Sequence, residues 1–339
     1  MNHQYFTCTG FGGTGSSVLS DLLKEFRNVK SCGADFEMTI AFDYGGVSDL
    51  QHYLVDDIER NKASEGIWLF KKYIDYARKK YESRFGDSFM RLMNEYINSL
   101  IEVEWSGENY MQYFRYSRIQ RWMYYYIPKK IQRRLREVFP AKDNYERTDK
   151  FKHYLPMQFP VSEEKFIQST RQMFKTLLDS FDKKDEFEYL CFDQLLPVYN
   201  FKRYLNYFPD LKVVVIDRDP RDLYLLNELY WHEGWIPSTD IDLYIKWFAA
   251  LRRNLKKDIE EAGGKVGLFR FEDFIYKYDE TVESLIDFLE LDESDHKDVQ
   301  KFFNPNKSIA NTKLWEKSQT RSLQIKQIEE SLQSYCYQY

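Results

Sequence analysis

Residues 9–17 read Thr-Gly-Phe-Gly-Gly-Thr-Gly-Ser-Ser and lie between a short apolar run and an amphipathic segment. The run from His3 to Cys8 is β-prone, and the segment from Val18 to Phe26 has apolar residues at helical spacing. A glycine-rich turn from strand to helix exposes backbone N–H groups, and its glycines let the main chain approach an anion without a Cβ in the way. This stretch therefore predicts a phosphate-binding loop.

Two phosphate-binding motifs match this loop. Gly10, Gly12 and Gly15 satisfy G-x-G-x-x-G, the dinucleotide-binding fingerprint. Residues 10–17 also match G-x-x-x-x-G-K-[ST], except that Ser16 stands where that motif has lysine. Because this lysine reaches the β- and γ-phosphates, its absence weighs against an ATPase or a kinase. The loop alone leaves the identity of the anion open.

Composition excludes several classes of protein. The 339 residues carry 49 basic and 54 acidic side chains, and the resulting net charge of −5 gives no global indication of a nucleic-acid partner. The four cysteines are scattered, so the sequence predicts neither a disulfide framework nor a zinc site, and no metal is expected. A polar start and the absence of a long apolar run predict a protein without signal peptide or membrane span. We therefore expect a cytoplasmic location.

The distribution of apolar runs predicts an α/β fold. The run at 212–216 lacks polar alternation, as expected for a strand covered on both faces of a parallel sheet. The other predicted strands are 5–8, 188–192, 265–269 and, more weakly, 29–36. The block from about 55 to 180 has mainly helical spacing, with predicted helices at 67–80, 89–101 and 166–181. We therefore predict one domain, 1–339, whose parallel sheet carries a large helical insertion over its carboxyl edge, where α/β proteins place ligands.

Residues 110–138 form a local basic and aromatic segment inside this block. Glu137 is its one acidic residue, and Trp122-Met-Tyr-Tyr-Tyr126 lies among the basic residues Arg115, Arg118, Arg121, Lys129, Lys130, Arg133, Arg134 and Arg136. Such interleaving on a helix is typical of a surface that contacts an anionic membrane or a polyanionic substrate. It is equally consistent with a solvated basic face over an aromatic core.

A second charged turn follows the predicted strand 212–216. Residues 217–222 read Asp-Arg-Asp-Pro-Arg-Asp. An arginine at the carboxyl end of a parallel strand is well placed for a bidentate contact with phosphate. The aspartates can orient the two guanidinium groups and cap the next helix.

Together, these segments resemble the sulfotransferases that use 3′-phosphoadenosine 5′-phosphosulfate (PAPS), of bacterial type. Thr14-Gly-Ser-Ser17 looks like the family's 5′-phosphosulfate loop, and Arg218-Asp-Pro-Arg-Asp222 looks like its 3′-phosphate turn. Three further segments are similar to family segments in the same order: Phe192-Asp-Gln194 with Pro197, Phe269-Arg-Phe-Glu-Asp-Phe274, and Asn304-Pro-Asn-Lys-Ser308 with Asn311 to Trp315. The resemblance covers residues 5–40 and 186–316. It implies a P-loop-like, three-layer fold with a parallel sheet flanked by helices.

The resemblance also implies a function and a set of site residues. It implies sulfuryl transfer from PAPS to a hydroxyl or amine of an acceptor, for which we prefer a carbohydrate or glycolipid. The residues that it assigns to the nucleotide are Gly12, Gly13, Thr14, Gly15, Ser16, Ser17, Arg218, Lys307 and Ser308. Asn227 joins them as a substitute for the serine that family members commonly carry eight residues after the arginine, where this chain has Leu226.

One departure and one open assignment concern the chemistry. Many family members have lysine or arginine where this chain has Gly13, so another residue must neutralise the transferring group. Glu37, after the second predicted strand, is our candidate for the general base that an acceptor hydroxyl needs. The other candidates are Asp35, Asp43, His153 and His232.

Two alternative functions stay open from the sequence. An NAD-dependent Rossmann oxidoreductase is consistent with G-x-G-x-x-G and with Asp35 or Glu37 downstream, where an acidic residue can contact ribose. A non-catalytic, P-loop-like nucleotide-binding protein is consistent with the missing loop lysine.

Overall fold

A computed structural model describes residues 3–109, 114–138 and 154–339. Its central feature is a five-stranded sheet in the order β2-β5-β1-β6-β7, and each neighbouring pair is parallel. The strands are β1 (Gln4–Gly10), β2 (Val29–Ser31), β5 (Tyr189–Asp193), β6 (Leu211–Asp217) and β7 (Val266–Arg270). The predicted α/β class and P-loop-like parallel sheet are confirmed.

The described residues also form α-helices. In chain order they are α1 (Ser17–Leu22), α2 (Val47–Gln51), α3 (Arg60–Phe85), α4 (Ser88–Ser99), α5 (Arg118–Arg121), α6 (Ile127–Val138), α7 (Glu163–Asp179), α8 (Phe201–Leu205), α9 (Pro220–Leu226), α10 (Ile241–Arg252), α11 (Leu255–Glu261), α12 (Asp273–Tyr276), α13 (Tyr278–Leu289), α14 (Pro305–Ser308), α15 (Leu314–Lys317) and α16 (Ser322–Ser331). No helix in the described part of the chain is long and apolar enough to cross a bilayer.

Apolar side chains cover both faces of the sheet. Phe6 and Ile216 belong to one buried cluster, which also contains residues of α1 and α13. Side chains of opposite orientation on the same strands, such as Phe192 and Val215, are fully buried as well. Burial on both sides explains why residues 213–216 of this strand are continuously apolar instead of alternating.

The chain divides into two compact units. The first contains the parallel sheet and comprises Met1–Ala41 and Leu178–Tyr339; the second is Phe42–Leu177. The second unit contains α3 and α4 and also a two-stranded antiparallel sheet, β3 (Ile101–Gly107) with β4 (Leu155–Pro160). The sequence predicted the helices of this block and missed the two strands.

Candidate functional site

The loop between β1 and α1 turns through three left-handed glycines. Gly12, Gly13 and Gly15 have φ angles of 83°, 66° and 91°, which residues with a Cβ rarely adopt. Within the described residues, the backbone N–H groups of residues 12–16 have no hydrogen-bond acceptor. Successive unpaired N–H groups in such a turn form a concave site for an anion.

Aromatic side chains pack directly against the loop. A Cβ on Gly13 would lie 2.7 Å from the ring of Trp231, and one on Gly15 would lie 2.5 Å from the ring of Phe271. Glycine at these positions therefore satisfies both the backbone conformation and the close packing of the rings.

Arg218 follows β6 and lies on the same cavity as the loop. Its side chain is 3% exposed, and its guanidinium stacks on Phe271 at 4.3 Å from the ring centroid. One Nη donates to the carbonyl of Asn311, whereas the buried Nε has no partner among the described residues. Burial lowers the pKa of Arg218, with Asp222 as the largest opposing charge. A buried arginine stays charged, so its unsatisfied donor needs an acceptor, and an anionic acceptor makes the stronger, charge-assisted hydrogen bond.

Arg221, three residues later, has a different role. Its guanidinium donates to both carboxylate oxygens of Asp219 (3.0 and 2.7 Å) and to Glu329 (2.8 Å). The Asp219 carboxylate also accepts from the Arg221 backbone N–H and caps α9, with Pro220 at its first turn. The prediction that an aspartate caps the next helix is confirmed. Of the two arginines in the turn, Arg221 is the one that pairs with the Asp219 carboxylate.

Further buried groups hold this turn in place. Asp217 accepts from Nη2 and Nε of Arg252, at 2.6 and 3.0 Å. Glu272, which is fully buried, accepts from the Asp219 backbone N–H at 2.8 Å. This contact gives the Phe269-to-Phe274 segment a structural role that the sequence did not reveal. Arg252 was also missed, because its position in an amphipathic helix carries no motif.

A buried carboxylate positions the carboxyl-terminal loop. Glu25, just after α1, accepts from the backbone N–H groups of Gln300, Phe302 and Phe303 at 2.9–3.0 Å. Asn304 then caps α14, which carries the predicted residues Lys307 and Ser308. Because Glu25 holds the loop beside α1, these residues reach the same cavity as the glycine loop.

Most of the predicted site residues line one cavity of about 460 Å³ in the first unit. These are Gly13, Gly15, Ser16, Ser17, Glu37, Arg218, Lys307 and Ser308. The cavity is also lined by Trp231 and Lys301, which the sequence did not single out, and by Asp193, Phe271, Asn304 and Asn311, which lie in the segments similar to the family but had no role assigned. The structure therefore brings together segments that are up to about three hundred residues apart in the chain.

Three predicted nucleotide residues do not line this cavity. Asn227 is buried, and its amide donates to Ser238 at 2.8 Å and accepts from the Glu233 backbone N–H at 2.8 Å. It holds its own loop, so these hydrogen bonds do not support its assignment to the nucleotide, which stays a prediction. Thr14 is 1% exposed with an unpartnered hydroxyl. Gly12 packs under a tryptophan. Thr14 and Gly12 can therefore offer only their backbone N–H groups.

The candidate bases are scattered. Glu37 is exposed and forms a parallel backbone bridge with Asp193, at the end of β5. Asp35 does not line the cavity. Asp43 accepts from the Tyr73 hydroxyl in the second unit at 2.9 Å. The remaining two are His232, which is exposed in a left-handed conformation, and His153, which lies outside the described residues.

Asp193 is a carboxylate on this cavity for which the sequence alone indicated no catalytic role. It is 3% exposed, it accepts from the Cys8 thiol at 3.0 Å, and it lines the cavity beside Glu37. Burial raises the pKa of Asp193 from 3.8 to about 6, opposed by the Cys8 hydrogen bond. A carboxylate in a cavity with a pKa shifted toward neutrality is a second candidate base.

Asp193→Asn is expected to stabilise the protein at neutral pH. Because the folded state binds this proton more tightly than the unfolded chain does, the carboxyl lowers stability progressively as the pH rises from 3.8 to about 6. Removing it should raise the free energy of unfolding above about pH 7 by up to about 3 kcal/mol and leave it nearly unchanged below pH 4. Urea unfolding of Asp193→Asn, with exposed Glu283→Gln as control, measures the difference. An equal gain at both pH values would contradict this assignment.

Comparison with known proteins identifies relatives. The family model described as "Sulfotransferase family" matches residues 7–295. A sulfotransferase from Mycobacterium avium, STF9, has 11% identity and a TM-score of 0.39, covering 100% of this chain and 78% of its own. The sulfotransferase domain of the Synechococcus PCC 7002 olefin synthase has 11% identity and a TM-score of 0.42, covering 100% and 96%. No curated protein sequence matches.

Proposed function

The chain belongs to the sulfotransferase family and is a transferase, and we propose that it moves a sulfuryl group from PAPS to a hydroxyl or amine of an acceptor. The observation that supports this most is a single cavity with two separate sets of hydrogen-bond donors for anions. The unpaired N–H groups of residues 12–16 form one, and the guanidinium of Arg218, whose Nε has no acceptor among the described residues, forms the other.

Two separate sets of donors suit a nucleotide that has anionic groups at both its 5′ and 3′ positions. The N–H groups of the loop and the hydroxyls of Ser16 and Ser17 would hold the 5′-phosphosulfate. Arg218 would hold the 3′-phosphate, with Lys307 and Ser308 on the same cavity. A buried guanidinium whose Nε lacks an acceptor gains more from a phosphate than an exposed one does.

The proposed reaction is an in-line displacement. Bound PAPS supplies a sulfuryl group whose bond to the 5′-phosphate oxygen breaks as the acceptor oxygen or nitrogen bonds to sulfur, leaving adenosine 3′,5′-bisphosphate. Glu37 accepts the proton that the acceptor loses, and Asp193 beside it is the alternative acceptor. The loop N–H groups stabilise the negative charge on the departing phosphate oxygen.

Because Gly13 stands where many family members have lysine or arginine, another residue has to supply the positive charge that neutralises the transferring group. Trp231 packs over Gly13, so a long cationic side chain there would have to displace this ring. Lys301 and Lys307 line the same cavity from the carboxyl-terminal loop, and Lys301 is paired with Asp298 at 3.1 Å. We propose that Lys307 neutralises the transferring group, since no carboxylate pairs with it among the described residues.

The acceptor is proposed to be a carbohydrate or glycolipid. Tyr230, Trp231 and Trp235 are 65%, 41% and 50% exposed, and Trp231 lines the cavity. Aromatic faces with one side open to water suit a sugar ring, which is apolar on its faces and polar at its edge. Supplying labelled PAPS with carbohydrate, glycolipid and phenolic acceptors tests this preference. Label in the phenols alone would contradict it.

Stabilisation of the folded protein by bound nucleotides tests whether PAPS is the sulfuryl donor. Adenosine 3′,5′-bisphosphate at about a hundred times its dissociation constant should stabilise the protein by about 2.7 kcal/mol, because it binds only the folded state. Adenosine 5′-monophosphate and NAD at the same concentration should give much smaller shifts of the unfolding temperature. Equal stabilisation by NAD, or none by the bisphosphate, would rule out PAPS as donor.

A further inference from the structure

The helical segment that runs from α5 to the end of α6, residues 118–138, presents an apolar stripe to solvent. A capping box at Ser117 and Gln120 starts the helix, which continues through a π-helical stretch, Trp122–Tyr126, into α6. On it, Ile119, Trp122, Met123 and Tyr126 are separated by three or four residues. They are 71%, 59%, 45% and 58% exposed. Such a stripe is ordinarily core, yet here none of the described residues covers it.

Basic residues continue the same stripe. Lys130, Arg133 and Arg134 follow Tyr126 at the same helical spacing, and all three are exposed. Arg133 has a partner in Glu137 at 3.5 Å, whereas Lys130 and Arg134 contact no carboxylate within the described residues. We call these four apolar and three basic residues the 119–134 face.

The charge of this segment opposes that of the rest of the protein. Residues 114–138 contain eight basic residues and one acidic residue, or +7, in a chain of net charge −5, so the remainder carries −12. Local rather than overall charge therefore attracts any anionic partner to this segment.

We propose that the 119–134 face docks on the surface of a membrane that contains anionic phospholipids. Trp122 and Tyr126 are residue types that favour the boundary between headgroups and acyl chains, and Ile119 and Met123 add apolar area to insert there. Lys130 and Arg134 are placed to contact the headgroups. A polyanion in solution would match the positive charge of the face, but it would leave the apolar side chains of Ile119 and Met123 exposed to water. An anionic membrane can accommodate both the basic and the apolar residues of the face. This proposal does not depend on the proposed reaction.

Sedimentation of the full chain with vesicles tests the proposal. We expect binding to vesicles of phosphatidylcholine and phosphatidylglycerol that weakens with salt, and little binding to phosphatidylcholine alone. Lys130→Gln with Arg134→Gln should weaken the binding about 25-fold, since each cation near the surface contributes about five-fold. Lys256→Gln with Lys257→Gln, an equal loss of charge on exposed positions of α11, is the matched control and should change it little.

A second variant separates insertion from charge attraction. Trp122→Ser with Met123→Ser keeps every charge, and it should weaken vesicle binding while leaving the thermal unfolding temperature unchanged, because both side chains are exposed. Quenching of tryptophan fluorescence by lipids brominated on their acyl chains should decrease in this variant. Equal vesicle binding by all variants, equal binding to neutral vesicles, or binding to heparin with none to vesicles would overturn the proposal. Self-association through this face without vesicle binding would also overturn it.

Discussion

Arg218→Ala should weaken binding of adenosine 3′,5′-bisphosphate about 30-fold to several thousand-fold. Truncating one partner of a buried, charged hydrogen-bonded pair costs about 2–5 kcal/mol, and Arg218 is buried with its Nε unsatisfied. Adenosine 5′-monophosphate lacks the 3′-phosphate, so its affinity should change by only a few-fold. Calorimetric titration of both nucleotides measures the ratio of their affinities, which reports the 3′-phosphate contact itself.

Arg221→Ala is the matched control for this prediction. The Arg221 guanidinium has four acceptors at 2.7–3.1 Å and does not line the cavity. This variant should unfold at a lower temperature and retain the preference for the bisphosphate over the monophosphate. If Arg221→Ala, rather than Arg218→Ala, abolishes that preference, the two arginines have been assigned in the wrong order. Arg218→Lys should recover only part of the affinity, because an ammonium cannot make a bidentate contact.

Glu37→Gln should lower the turnover number about 10²- to 10⁴-fold with bisphosphate affinity retained. A positioned general base contributes about that factor, and glutamine keeps the size of the side chain but cannot accept the proton. Asp193→Asn, measured alongside, identifies which of the two neighbouring carboxylates acts. Full activity in Glu37→Gln together with loss in Asp193→Asn would transfer the role to Asp193.

The pH dependence of the reaction rate is an independent test of which carboxylate is the general base. A base whose pKa is about 6, as for Asp193, must be ionised to act, so the rate should rise through that pH and level off above it. This limb should disappear in Asp193→Asn if Asp193 is the base. If the limb persists in that variant, another group controls it.

The main sheet and its phosphate loop were predictable from sequence because their signals are local. The run at 213–216 is apolar throughout, and the glycines at 12, 13 and 15 precede an amphipathic segment. The strands β3 and β4 were missed because neither carries such a signal. Most of β3 is exposed, and β4 contains Pro156 and Pro160, which normally argue against a strand.

The site could be predicted only as far as motifs extend. The sequence indicated Arg218, but two arginines in one turn look alike until their partners are known. Asp193 acquires its pKa from burial beside Cys8, which is 185 residues away in the chain. Glu25 holds a loop more than 270 residues later. Asn227 looked available for the nucleotide, whereas its amide is occupied within its own loop.

The position of β1 in the sheet has a consequence for how the protein is made. β1 is synthesised before its two neighbours in the sheet, β5 and β6, which end at Asp193 and Asp217. At about 5–20 residues per second, a ribosome needs roughly 10–40 s to add the intervening chain. Throughout that interval β1 is an apolar strand with both edges unpaired, which is the state that chaperones bind and that aggregates. We therefore expect the yield of folded protein to depend on what shields β1 during translation.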